Sequence, residues 1–487
     1  MLQWHGRFNA ASVLHSTFLC RFGVMRKLLI FFCLTFVLFG CKKTDFITTP
    51  DAFLRMSADT LHFDTVFTTT GSITQLFKIF NPNDKKLRLS NVQLMGGSTS
   101  AFRLNVDGTP GINFNDIEIE PNDSIYAFVT VNINPTSSLL PFIIQDSIRI
   151  TYNGNTRFVQ LDAFGRNANF LRGRRVTSDT IWNNDLPFVI LNGLLVDQGK
   201  TLTISKGTKI YVHADAPIIV DGTIKAIGEK YDSTRIVFQG DRLDEPYKNY
   251  PGSWPGIVFR TTSQDNELQF VTVKNAYQGV VAQNPSVTIN PKLIINECIF
   301  HNIYDVAVGG INSSISARNC EITQAGYNVF LVGGNYTFNH CTIASYGSYY
   351  LQHKNPVLVL SDMSGSTPLS LNASFKNSII YGDGGIVDDE ILVNRKGNFS
   401  FNASFDNVLY KMKSADPSIL NFSGNKLRNV SPLFDSINTN KPLYNFRLRD
   451  NSPALNKAGV IGIPAFDLDG NNRNIGTAPD LGAYERQ

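Results

Sequence analysis

The chain lacks an excess of charge of either sign. Its 487 residues hold 44 Lys and Arg against 40 Asp and Glu, but Arg7, Arg21, Arg26 and Lys27 lie in the first 40 residues, which contain no acid. Residues 41–487 are therefore neutral, with no electrostatic footprint for nucleic acid and no polybasic patch for anionic lipid. Long apolar runs are missing too. The run from Leu28 to Gly40 is too short to cross a bilayer, which disfavours an ordinary transmembrane anchor. No Gly-rich phosphate loop, nucleophile elbow or metalloprotease helix is present. With only 6 Met and abundant Asn, Gly, Ser, Thr and Phe, the composition leans toward β structure.

What is present begins with a leader. Met25 opens "MRKLLIFFCLTFVLFGCKK", two cations followed by an apolar stretch of the length of a secretory h-region. Leu38-Phe39-Gly40-Cys41 resembles the lipobox of bacterial lipoprotein precursors, which implies cleavage before Cys41 and lipidation of its sulfur. Residues 1–40 are read as leader and signal, with 1–24 an upstream start-site artefact or leader extension, and 41–50 as a tether. The expected location is the bacterial cell envelope, at the outer membrane.

From 51 to 170 short alternating strands are separated by turn residues. Ile125, Ala127, Val129, Val131 and Ile133 share one face, as do Ile148, Ile150 and Tyr152. Breaks at Asn81-Pro82, Gly96-Gly97, Pro121-Asn122-Asp123 and Asn153-Gly154 predict roughly seven strands, the count of a β-sandwich. The phrases "GSITQLFKIFNPNDKKLRLSNV" and "IEPNDSIYAFVTVNINP" resemble immunoglobulin-like domains of the hydin group. That resemblance implies a spacer or protein-contact module without catalytic residues.

A repeat follows. Aligning on three cysteines gives a column Val271, Cys298, Cys320, Cys341, Ser378, Val408. Three positions earlier stand Leu268, Ile295, Ala317, Phe338, Phe375 and Phe405, and two positions later Val273, Phe300, Ile322, Ile343, Ile380 and Tyr410. The two residues between are mostly polar, so each unit reads as strand, two-residue corner, strand. Intervals of 27, 22, 21, 37 and 30 residues suit coils of about twenty residues with loops inserted. The sequence thus predicts an all-β chain, an N-terminal immunoglobulin-like β-sandwich followed by a right-handed parallel β-helix over 177–430. The phrases "FVILNGLLVDQGKTLTISKGTKIYVHADAPIIVDGTIKAIG" and "RIVFQGDRLDEPYKNYPGSWPGIVF", with Trp182 just upstream, resemble β-helix repeat proteins of bacterial envelopes. "NSPALNKAGV" and "DLDGNNRNIGTAPDLGAYE", in 431–487, are similar to a C-terminal segment of such secreted chains, and are expected to cover the open end of the helix.

The cysteines need one more decision. A zinc reading would recruit Cys298, His301, Cys320, His340 and Cys341, but stacked neighbours point the same way and do not converge on a tetrahedral centre. Disulfides suit an exported chain, yet parallel Cβ vectors fit their torsion poorly. Cys298, Cys320 and Cys341 are therefore read as a buried ladder of free thiols.

Three loops carry the candidate chemistry. "GDRLDEPYKNYPGSW" gathers Asp241, Asp244 and Glu245 with Tyr247, Tyr250 and Trp254, a set able to contact glycans or to pack as a lid. "YGDGGIVDDEIL" offers Asp388, Asp389 and Glu390 as weak catalytic candidates against a solvated charge run. "DLDGNNR" places Asp467, Asp469 and Asn471 as in a calcium loop, without the spacing or distal Glu of an EF-hand. No cofactor is expected. The function expected is non-catalytic binding or scaffolding, with the membrane through the lipid anchor and polysaccharide or envelope proteins as partners. The alternative is a polysaccharide lyase or glycoside hydrolase.

Overall fold

The computed structural model describes residues 45–68, 71–135, 142–441 and 443–487. The leader, the lipobox and Cys41 lie outside the described residues. The chain is all-β and divides into two compact units, one built from 45–61, 73–130 and 145–161, the other containing 162–487.

The N-terminal part has two sheets, of six and five strands. This exceeds the seven expected, and three of the eleven, Phe46–Ile47, Arg55–Met56 and Thr109–Gly111, are only two or three residues long. Alternation places the expected face inward: Ala127, Val129, Ile148 and Ile150 are fully buried. The break at Asn81-Pro82 has a cause in the side chain of Asn81, whose amide donates to the carbonyls of Lys85, Ile119 and Glu120 while Oδ1 accepts from Asn83. Those bonds satisfy a turn that proline leaves short of a donor.

The second unit is a right-handed parallel β-helix. One 21-stranded sheet runs from Asn169–Val176 to Leu420–Arg428. The two apolar columns that flank the cysteines are in register. Leu268 pairs with Ile295, Ile295 with Ala317, Ala317 with Phe338, Phe338 with Phe375 and Phe375 with Phe405. The later column runs Val273, Phe300, Ile322, Ile343, Ile380, Tyr410 in the same way. Stacking is direct, with ring centroids 5.1 Å apart for Phe338–Phe375 and Phe375–Phe405, and 4.9 Å for Phe405–Phe422. Each such side chain removed from water contributes roughly 1.5–3 kcal/mol.

The corner is made by a single residue in the left-handed region. Phe270, Glu297, Asn319, His340, Asn377 and Asn407 have φ between 49° and 53°. One such residue turns the strand while both neighbours stay extended, and Asn tolerates it best among residues with a side chain. Asn275, Asn302 and Gln324 form a second left-handed column, with Asn302 donating to Asn275 Oδ1 at 2.7 Å.

The segment after residue 430 departs from expectation. It does not act as a plug for the open end but runs as a strap along the flank of the stack. Asn425, Asn377, Asn339, Asn319 and Arg235 donate in turn to the backbone carbonyls of Lys457, Gly459, Gly462, Phe466 and Leu468. The strap thus climbs from the last coil back to an early one. The reason lies in the outward position after the cysteine column, where Ile379 and Leu409 are apolar and Ile299 is half-buried. These residues pack with Leu468, Leu481, Ala483 and Tyr484 of the strap. Burying an apolar flank several coils long removes more surface from water than closing one coil would.

Candidate functional site

The sulfurs of Cys298, Cys320 and Cys341 are free and fully buried. Cys298 donates to the carbonyls of Leu268 and Asn296 at 3.3 and 3.2 Å. Burial pushes the Cys298 thiol up to about 12 and raises Cys320 as well, so neither is a ready nucleophile. His340 is held at its corner by Asn377, and burial shifts it well down from the ordinary imidazole range. His301, pushed down to about 4 by burial and then by Lys274, lies against Thr323 and the Tyr444 ring. Among the described residues no group of three or more His, Cys, Asp or Glu is placed to hold a metal ion.

The "DLDGNNR" carboxylates are oriented by backbone donors. Asp467 Oδ1 accepts from the amides of Asp469 and Asn471, and its Oδ2 from the amide of Glu485. Asp469 is paired in two-pronged fashion with Arg447. Oxygens turned toward N–H groups are spent on the strap's own turn and do not form a calcium cage.

The acids of "IVDDEIL" diverge. Asp388 is exposed and ion-pairs with Lys413 at 3.0 Å. Partial burial works against the charge of Asp389, but hydrogen bonds from Ser414 and Lys413 outweigh it and hold the carboxyl below the usual range. Glu390 is fully buried, with Oε1 2.8 Å from His353 Nε2 and Oε2 accepting from the Val357 amide. These three neighbours in sequence therefore offer no pair of carboxylates facing one substrate.

The "GDRLDEPYKNYPGSW" loop separates into two parts. Trp254 is 1% exposed, belongs to the helix core and donates from Nε1 to the Lys274 carbonyl. It is a structural anchor and is out of reach of a ligand. Asp241, whose carboxyl burial raises against the pull of His213, is 2.7 Å from His213 Nδ1. Asp244 is bound by Arg242 and Glu245 by Lys248. The tyrosines behave differently. Tyr247 and Tyr250 meet edge to face at 5.2 Å, Tyr250 touches Tyr350 at 4.8 Å, and Tyr350 meets Tyr349 at 5.2 Å. Tyr247 is 41% exposed and Tyr349 89%. Nearby, Tyr277 and Tyr304, also exposed, stack at 5.3 Å on successive coils, and Gly252 sits against the Tyr304 side chain.

Tyr349, Tyr350, Tyr277 and Tyr304 escape sequence reasoning. The one available signal is the 37-residue interval between Cys341 and Ser378, which announces an inserted loop containing "YGSYYLQHK". That loop and the strap border a cleft of about 590 Å³, whose lining includes Tyr346, Tyr349, Gln352, His353, Lys354 and Asn440. A second pocket of about 310 Å³ is lined by Tyr381, Asp388, Lys411, Lys413 and Asn429.

No protein-family model matches the chain, and no curated protein does. Among solved structures, the chain is similar to a family 123 glycoside hydrolase from Clostridium perfringens, described for glycolipid glycan hydrolysis, at 12% identity and a TM-score of 0.17, over 23% of this chain and 26% of that one. It is also similar to a PapD-like domain of human CEP192, at 10% identity and a TM-score of 0.17, over 24% of this chain and 88% of the domain. The third is Dex49A from Penicillium minioluteum, at 11% identity and a TM-score of 0.22, over 75% of this chain and 77% of that one. The chain thus spans about a quarter of the length of the first of these.

Proposed function

We propose that the protein is a lipid-anchored component of the bacterial cell envelope that binds or scaffolds glycans without cleaving them. Its sandwich is a hydin-like spacer and its strap belongs to the C-terminal segments of secreted β-helix chains. Cys41, following a short apolar run and a small residue, is the attachment point. The observation that carries the binding reading is the chain of ring contacts Tyr247–Tyr250–Tyr350–Tyr349, exposed at its two ends and half-buried between, beside acids already committed to His213, Arg242 and Lys248. Aromatic faces are large apolar platforms that can take up the apolar faces of sugar rings.

A second reading, a polysaccharide lyase or glycoside hydrolase, draws on the pocket where Lys411 and Lys413 flank Asp388. One experiment separates the two. The purified protein is screened against a panel of polysaccharides, with binding and reducing-end release scored independently. Binding without release, weakened about fivefold or more in Tyr250→Ala, is the expected result, corresponding to about 1 kcal/mol. Release that disappears in Asp388→Ala or Asp389→Ala overturns it.

A further inference from the structure

Beside the tyrosine chain, the cleft holds chemistry that ring stacking does not use. We infer that this cleft is a subsite for an acidic sugar, a hexuronate residue of the bound polysaccharide, with Lys354 pairing its carboxylate and His353 Nδ1 accepting from a ring hydroxyl. The inference rests on the glycan-binding reading above and adds the class of sugar.

His353 lines the cleft although its side chain is only 1% exposed. Its Nε2 is engaged by Glu390 Oε1 at 2.8 Å, and Glu390 is itself fixed by the Val357 amide. A side chain at position 382 would collide with both Glu390 Oε1 and His353 Nε2, so Gly382 is what lets the pair close up. A carboxylate at Nε2 places the proton there and leaves Nδ1 as a lone-pair acceptor. Among the described residues Nδ1 has no hydrogen-bond partner. A buried acceptor left unpaired is destabilising, and a ligand hydroxyl would offset that cost.

The remaining lining fixes the sign and shape of the ligand. Among the described residues that line the cleft, Lys354 carries the one fixed charge, it is exposed, and no Asp or Glu lines the site with it. Tyr349 belongs at once to this lining and to the tyrosine chain, so a polysaccharide lying across Tyr250 and Tyr350 reaches the cleft without a break. Gln352 and Asn440 supply amides of the kind that bind sugar hydroxyls. The volume, about 590 Å³, lies within the usual range for a small-ligand site.

The test uses oligogalacturonate and oligomannuronate, each beside its carboxyl-reduced counterpart, titrated into the purified protein. The acidic form of at least one should bind ten-fold or more tighter than its reduced form, and Lys354→Met should erase that difference. His353→Gln should weaken both forms. Lys354 is exposed, so its variant keeps the test decisive even where a substitution at the buried histidine unfolds the loop. Equal affinity for the acidic and reduced forms, or a preference that survives in Lys354→Met, overturns the subsite. If neutral glycans then still bind in a Tyr250-dependent manner, the broader binding reading stands alone. Absence of any glycan binding defeats both.

Discussion

At position 319 the backbone is asked for a φ of 49°, which costs most side chains about 1–2 kcal/mol and asparagine much less. The amide does more than tolerate the bend. Asn319 Nδ2 donates to the Phe466 carbonyl, and its Oδ1 accepts from the buried guanidinium of Arg473 at 2.8 Å. Asn319→Ala is therefore expected to cost about 2–4 kcal/mol in denaturant unfolding, combining a strained corner with unpaired donors. Asn319→Gly should recover roughly 1 kcal/mol of that, the conformational share. A loss below about 0.5 kcal/mol for the alanine variant would mean that the corner residue neither sets the bend nor holds the strap. At position 340 histidine occupies the same left-handed corner that asparagine fills in the coils on either side. Its ring is an alternative hydrogen-bonding group at that corner, with Asn377 Nδ2 3.0 Å from its Nε2.

The strap is the element whose behaviour depends on protons. Arg473 is fully buried and donates to Asn319, Gly482, Ala483 and Glu485. Glu485 also accepts from the Asp480 amide, and Asp467, Asp480 and Arg473 are the charged groups that face it. Burial pushes its carboxyl up to about 7 from the ordinary 4.5, despite the hydrogen bond from Asp480 and the pull of Arg473. In the folded state it thus retains a proton between pH 4.5 and 7 that the unfolded chain has released. Its contribution is complete below pH 4.5 and is lost as the pH rises through 7. Amide exchange at Leu481 and Gly482 should accordingly be slower at pH 5 than at pH 8 after correction for intrinsic rates, and Glu485→Gln should flatten the difference. An unchanged pH profile in that variant would remove Glu485 from the account. The strap's course was also the least legible element. The columns were readable because an apolar side chain returns at each coil and pairs with its own kind. The strap instead joins side chains to backbone carbonyls over separations of 82 residues for Asn377–Gly459 and 147 for Asn319–Phe466, and although asparagine recurs on the donor side, a backbone carbonyl leaves no residue type to betray the acceptor. The tyrosine cluster was half legible for a related reason. Tyr247 and Tyr250 share one loop, but Tyr349 and Tyr350 come from another, and only the stacking of coils brings the two together.

For the whole molecule the sequence pattern anticipated the order of parts, a sandwich and then a helix of stacked coils, because each has its own period, two in the sandwich and about two dozen in the helix. It could not say which loops would meet, since loop length sets reach without direction. Attachment is a property at this scale as well. Cys41→Ala should release the protein from the membrane fraction of cells expressing it, and unchanged retention would rule out the lipid anchor. The strap imposes an order on assembly. Every residue that clasps the flank lies C-terminal to every coil it clasps, so Ile379 and Leu409 stay bare until residues 457–485 have been made. During that interval the growing stack presents a sticky side, and its final residues act as the closing seam.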